Sequence, residues 1–159
     1  MMNNYEKSIL LKDLSGRISF GVRCIIFNPS LPVELGGVRE DGKIYFKELD
    51  KGDDDGIYDI DHVKPMLFRL SCMSERERRR LYEIFGLNSP NLEGDLDLDR
   101  GWNKFNTEIE NNKLFIPGPV CGVDLMKGIN QLYKGHYDFR GILDLGLGIE
   151  VSDRNNPYM

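Results

Sequence analysis

The sequence predicts an α+β fold, with an N-terminal helix and a small antiparallel barrel of the SH3-like or OB-like kind, followed by a helical lobe ending in an αα-hairpin. First, about five short strand-like runs between residues 20 and 70 follow one another without helices, which favours an antiparallel meander. Second, a helix start signal stands at Ser74. Third, residues 122–151 combine helical apolar spacing with glycine stops. We expect residues 1–72 and 73–159 to form two lobes of one compact unit.

The N-terminal lobe begins with a helix that Asn4 is predicted to cap and that Ser15-Gly16 is predicted to end. Its predicted buried stripe comprises Tyr5, Ile9, Leu10, Leu14 and Ile18. Residues 20–27 are rich in β-branched and aromatic side chains and predict a strand. Asp41-Gly42 predicts a tight hairpin turn between strands over residues 33–39 and 43–49. A further strand over residues 57–63 is expected to stop at Lys64-Pro65, before a last run over residues 66–70.

The middle of the chain predicts one well-marked helix followed by irregular structure. Ser74 and Glu77 form a capping box, because each side chain can bond the backbone N–H of the other residue, and Gly86 marks the C-terminal end. From residue 88 to residue 119 the apolar pattern weakens. Leucines that alternate with acids over residues 95–99 predict an edge strand, and residues 113–117 predict another strand.

The final stretch carries the strongest helical pattern. A helix from Gly122 is predicted to bury Leu125, Met126, Ile129, Leu132 and Tyr133. Gly135 is predicted to end this helix at positive φ, and Gly128, inside it, predicts close packing against a neighbour. Asp138 is predicted to cap a second, short helix that Gly146 ends.

Composition limits the classes of function. Apolar residues at 40% and charged residues at 30% are ordinary globular values. The net charge of −5 argues against a duplex-DNA-binding protein, whose affinity depends on neutralising phosphates. Three separated cysteines fit neither a disulfide framework nor a zinc ribbon, so we expect buried free thiols. No leader or spanning run is apparent, and we expect a cytoplasmic protein that has no membrane partner and no cofactor.

Acidic and histidine residues offer weak candidates for metal or acid/base chemistry. Asp95, Asp97 and Asp99 have the opening spacing of a calcium loop, but Arg100 and Asn106 stand where an EF-hand needs glycine and glutamate. We therefore favour an edge strand there, and a solvated loop tip for Asp53-Asp54-Asp55. The only histidines are His62 and His136, and a nucleophile pair of His136 with Cys72 or Cys121 lacks a supporting local motif.

Four arginines form the one concentrated basic patch, Arg76, Arg78, Arg79 and Arg80. We expect Glu75 to pair with Arg79, and Glu83 with Arg79 or Arg80, which leaves two interpretations: a solvated helix face, or a surface that binds nucleic acid or an acidic protein. For single-stranded nucleic acid, an aromatic platform of Tyr45, Phe46 and Tyr58 is a further candidate. Trp102, His136 and Arg140 complete the set of candidate partner-binding residues.

Three segments resemble a known family. They are LLKDLSGRISFGV at residues 10–22, DHVKPMLFRLSCMSERE at residues 61–77, and HYDFRGIL at residues 136–143. Together they resemble a family of proteins without an assigned activity from gut Bacteroidetes, often associated with prophages or other mobile elements. Members of that family tend to carry paired histidines before the aromatic-Asp-aromatic-Arg-Gly run, whereas this chain has Gly135-His136. The resemblance implies a domain plan and a mobile-element setting.

We therefore expect a non-enzymatic binding or adaptor protein with a protein partner. One alternative is a nucleic-acid-binding accessory protein that uses Arg76–Arg80 together with the barrel face. The other is a hydrolase or metal protein that uses the acids of residues 95–99 or the region of His136.

Overall fold

A computed structural model describes residues 1–26, 32–47, 56–87, 98–117 and 119–159, with Leu98 and Asp99 described by backbone only. The fold is of mixed α and β type, as predicted. The chain divides into a first unit of residues 1–68 with 140–159, and a second unit of residues 69–139. The helices and strands are α1 (Asn4–Arg17), β1 (Arg23–Ile26), β2 (Val33–Val38), β3 (Lys43–Phe46), β4 (Ile57–Asp59), β5 (Val63–Arg69), α2 (Glu75–Ile84), α3 (Leu98–Glu110), α4 (Gly122–Lys134), β6 (Tyr137–Asp138) and β7 (Ile149–Glu150).

The first unit is built on a sheet whose described strands follow the order β4-β3-β2-β1-β5. The pairs along this path are antiparallel, and β7 adds a short parallel pairing to β5. The Asp41-Gly42 turn is confirmed, because β2 and β3 pair through Val38 and Ile44 and Gly42 has a φ of +80°. The described strands form an open sheet, and the SH3-like or OB-like barrel stays a prediction.

Helix α1 departs from its predicted boundaries at both ends. Asn3, rather than Asn4, caps the helix and forms a reciprocal capping box with Glu6. The helix continues through Gly16 to Arg17, where the Arg17 side chain bonds Asp13 one turn earlier. Leu10 and Leu14 are fully buried as predicted. Tyr5 is not part of the buried stripe, since 70% of it is exposed.

Strand β5 continues through Pro65, where the sequence predicted an interruption. Pro65 lies opposite Cys24 of β1, and pairing continues on to Lys64 and Val63. A proline removes one backbone donor and leaves those of its neighbours in place, so a strand with a partner tolerates it at a single position. The core of this unit lies between α1 and the sheet and also includes Ile142 and Leu147 from the later part of the chain.

The second unit is helical, and its core is formed by buried residues of α2, α3 and α4 with the turn at residues 70–73. Helix α4 has its predicted boundaries, and a Cβ added to Gly128 would overlap the ring of Phe85, which confirms the predicted close packing. Leu132 and Tyr133 are buried. The predicted stripe is wrong at Leu125 and Met126, which are 38% and 58% exposed.

The predicted second helix of the final hairpin does not form. Tyr137 and Asp138 form β6, and residues 142–146 form a single turn. The predicted glycine turn at Gly146 is nevertheless formed. Gly146 has a φ of +70°, and the Leu147 N–H donates to the Ile142 carbonyl. Gly135 has a φ of −84°, and His136 takes the positive φ instead, at +56°. Gly135 is needed for space, because a Cβ there would overlap the Tyr137 ring.

Helix α3 occupies part of the stretch where the sequence pattern is weak. It begins at Leu98, so the edge strand predicted over residues 95–99 is wrong at its last two positions, and residues 95–97 lie outside the described residues. Residues 113–117 form no strand. No helix within the described residues is long and apolar enough to cross a membrane.

Candidate partner-binding face

Helix α2 presents the predicted arginines from a well-anchored N-terminus. The Ser74 hydroxyl accepts the Glu77 N–H at 3.3 Å, and the Glu77 carboxylate accepts the Ser74 N–H at 2.8 Å, so both halves of the capping box are present. Tyr137 also donates its hydroxyl to Glu77 at 3.0 Å. Burial acts to raise the pKa of Glu77, but these hydrogen bonds outweigh it and lower that pKa. Burial, together with the Glu77 charge, raises the pKa of Tyr137.

The exposed side of α2 forms a shallow open depression, which we call the arginine face. Its lining comprises Glu75, Arg76, Arg79, Arg80 and Glu83. Leu81 and Tyr82 lie on the buried side of the same helix, and Phe85, directly after its end, is also buried. Helical periodicity therefore separates the four arginines of the sequence run into different environments.

Arg78 stabilises the second unit through hydrogen bonds and an ion pair. Only 14% of its side chain is exposed. Its guanidinium donates to the Met73 carbonyl, the Asn106 amide oxygen and the Glu110 carboxylate, each at 2.8 Å. Because these bonds join α2 to α3, Arg78 is a structural residue and does not belong to the arginine face.

Arg79 is held in place at the edge of the arginine face. It donates from two nitrogens to one Glu75 oxygen, at 3.0 and 2.8 Å, which confirms the predicted pair. Its guanidinium carbon lies 4.6 Å from the centroid of the Trp102 ring, a cation–π distance. Trp102 is fixed in turn by edge-to-face contact with Tyr82, the centroids being 5.5 Å apart.

Arg76 and Arg80 are exposed and form no ion pair or side-chain hydrogen bond within the part of the chain that the structure describes. The predicted pairing of Glu83 with Arg80 is not formed between these two described residues. Four residues apart on one helix, the two arginines are separated by about 6 Å along its axis. Arg76 and Arg80 are therefore the cations of the arginine face that can bind an anionic ligand.

The structure does not bring the remaining predicted residues to the arginine face. His136 lies in the turn after α4. Arg140 belongs to the first unit, where its Nε lies 3.7 Å from Asp13 Oδ1. Asp13 is fully buried and accepts two bonds from the equally buried Arg17, at 2.6 and 3.1 Å. Arg140 thus joins a buried charge cluster that stabilises the first unit.

The aromatic platform predicted for nucleic acid is not formed as such. Phe46 is buried and meets Tyr58 edge to face within the first unit. Tyr45 points to the opposite side of β3, and its ring covers Gly36 and Gly37 of β2. Neighbouring residues of a strand face opposite sides, so Tyr45 and Phe46 are unable to share one surface.

The cysteines and acids show no assembled reactive centre among the described residues. Cys24 is buried, and burial raises its pKa. The expectation of buried thiols is wrong for Cys72 and Cys121, which are exposed. Within the described ranges no group of three or more His, Cys, Asp or Glu residues is placed to hold a metal ion. Asp53-Asp54-Asp55, Asp95 and Asp97 lie outside those ranges.

Sequence reasoning missed the α3 residues that define this site. Asn106 and Glu110 decide which arginine is structural, and both lie in the stretch where no helix was predicted. A signal was present, since Trp102, Phe105 and Ile109 have helical spacing and the last two are fully buried. The glycine at position 101 and the many nearby turn residues obscured it.

Comparison with protein-family models, with curated proteins and with solved structures returns no match to this chain. The geometry of the arginine face is therefore the basis for a functional proposal.

Proposed function

We propose that this protein is a non-enzymatic binding protein whose arginine face on α2 recognises an acidic segment of a protein partner. The observation that carries the proposal is the pair Arg76 and Arg80, exposed and uncommitted beside the immobilised Arg79. Guanidinium groups bind carboxylates through two parallel hydrogen bonds, and a pair one helical turn apart suits two carboxylates of one peptide. An adaptor role within a mobile element agrees with the family resemblance of the sequence.

The charge pattern favours a protein over a nucleic acid. Glu75 and Glu83 lie on the arginine face with the arginines, and the whole chain carries a net charge of −5. A continuous phosphate backbone would meet those two carboxylates as well as the guanidinium groups, whereas a folded partner can place its own cations opposite them. Carboxylates at both ends of the arginines therefore favour a short, discrete acidic ligand.

The second candidate is an accessory protein for single-stranded nucleic acid. It is supported by the arrangement of Arg79 over Trp102, because guanidinium and aromatic planes are the groups on which unpaired bases stack. In this alternative, the predicted SH3-like or OB-like barrel supplies a further binding surface.

Fluorescence anisotropy of labelled probes tests both candidates. The probes are a glutamate-rich peptide, a neutral peptide of equal length and a single-stranded DNA oligonucleotide, each titrated with the full chain at low and at high salt. The test variant is Arg76→Ala with Arg80→Ala. Its matched control is Lys12→Ala with Arg154→Ala, which removes the same charge from exposed positions of the first unit.

We expect the acidic peptide to bind, to weaken with salt and to lose about tenfold or more in affinity in the test variant alone. Trp102 is the only tryptophan and reports independently, because binding beside Arg79 changes its fluorescence. Absence of peptide binding at low salt, or equal loss in both variants, would contradict the proposal. Binding of the oligonucleotide without the peptide, lost in the test variant, would select the second candidate.

A further inference from the structure

Tyr158 joins the segment of residues 152–159 to the sheet of the first unit. Residues 152–155 are exposed, and their hydrogen bonds are local: Ser152 and Asn155 form a turn, and the Asn155 amide donates to the Glu150 carbonyl. The ring of Tyr158 meets that of Phe68, with 6.0 Å between the centroids. The Tyr158 hydroxyl reaches the backbone of two different strands.

The two backbone groups that it reaches lie opposite each other. Strands β1 and β5 pair at Ile26 with Val63, at Ile25 with Lys64 and at Cys24 with Pro65. The same register, continued by one residue, brings Arg23 opposite Met66. At this point the Arg23 N–H donates to the Tyr158 hydroxyl at 3.1 Å, and that hydroxyl donates to the Met66 carbonyl at 2.7 Å.

We propose that Tyr158 is a conformational latch, whose hydroxyl replaces a direct rung between β1 and β5 and so holds residues 152–159 on the sheet. One hydroxyl satisfies both groups because it accepts and donates at the same time. When the latch opens, the Arg23 N–H and the Met66 carbonyl pass to solvent while the rungs beyond Pro65 remain. The geometry therefore defines a local opening of the sheet that is distinct from global unfolding.

Amide hydrogen exchange measured by NMR on the full chain tests the latch. Tyr158→Phe keeps the ring contact with Phe68 and removes only the hydroxyl. Tyr5→Phe is the matched control, since Tyr5 is a tyrosine that is 70% exposed. In Tyr158→Phe we expect exchange of the Arg23 amide to accelerate about tenfold or more, because that donor loses its partner. The Ile25 amide, which lies opposite Lys64 in the next rung between β1 and β5, is expected to keep its protection.

A second measurement follows the segment itself. Arg154 is exposed, and trypsin cleaves after arginine once the surrounding chain detaches. We expect cleavage after Arg154 to be faster in Tyr158→Phe than in the wild type or in Tyr5→Phe. Unchanged exchange at Arg23 would overturn the proposal. Equal acceleration at Arg23 and Ile25 would also overturn it, because that result indicates global rather than local opening.

Discussion

Replacing Gly128 in α4 with alanine has two effects of opposite sign on the stability of the folded protein. Alanine favours a helix interior by about 1 kcal/mol over glycine, so propensity alone predicts stabilisation. The structure predicts the reverse, because the added Cβ would overlap three ring atoms of Phe85, two of them at 2.5 and 2.6 Å. Real Cβ contacts lie beyond 3.0 Å, and Phe85 is itself 1% exposed, so the ring has no free space to enter.

The size of the expected loss in stability depends on how rigid the contact between residue 128 and Phe85 is. Overpacking a tight core costs about 1–3 kcal/mol, and a Cβ fixed to the backbone is unable to rotate away, which places this case in the upper part of that range. After the gain in propensity is subtracted, we expect Gly128→Ala to lower the free energy of unfolding by about 1–2 kcal/mol. Gly122 is the matched control, because a Cβ there meets nothing within 4 Å.

Urea denaturation followed by circular dichroism at 222 nm measures both variants. We expect Gly122→Ala to match or exceed the wild type in stability, and Gly128→Ala to fall below it. In a double-mutant cycle, Phe85→Leu should recover part of the loss in the Gly128→Ala background, with a coupling of about 1 kcal/mol. Stability of Gly128→Ala at or above that of the wild type would refute the close packing of α4 on Phe85.

Three further predictions concern the structural role of Arg78, the close packing of β2 on Tyr45, and the contribution of the Glu77 charge to the helix cap. Arg78→Ala should lower the free energy of unfolding by about 2–3 kcal/mol, while Arg76→Ala stays within about 0.5 kcal/mol in the same urea titration. Gly36→Ala should lower the melting temperature, because its Cβ would overlap the Tyr45 ring and lie 3.1 Å from the Tyr45 backbone oxygen, which moves only with strand β3. The stabilising effect of Glu77 should be complete above its ordinary pKa of 4.5 and decline as pH falls, because folding lowers that pKa, so the wild type and Glu77→Gln should converge in stability in acid.

Each of these predictions has a result that would count against it. Equal destabilisation by Arg78→Ala and Arg76→Ala would remove the distinction between the α2–α3 link and the arginine face. An unchanged melting temperature for Gly36→Ala would show that the Tyr45 ring and strand β3 shift freely. A constant stability difference between the wild type and Glu77→Gln from pH 7 to pH 3 would mean that the carboxylate charge contributes nothing to the cap.

The sequence by itself determined the features that depend on neighbours within about four residues. The capping box at Ser74, the turn at Gly42, the pairing of Glu75 with Arg79 and the boundaries of α4 all appear as predicted. Their hydrogen bonds and ion pairs close within one helical turn or one hairpin turn. Such interactions require no knowledge of distant segments, so residue type and spacing are enough to predict them.

Only the tertiary structure decided where contacts with distant segments override a local sequence signal. Asp138 carried a helix start signal but lies in strand β6, and Pro65 carried a break signal but lies inside β5. Arg78 and Arg76 are equivalent by composition, yet Asn106 and Glu110 of α3 engage Arg78 alone. Tyr158 bonds residues 92 and 135 positions away. A local sequence pattern does not indicate which distant residues will come into contact, because these contacts form only once the chain has brought the segments together.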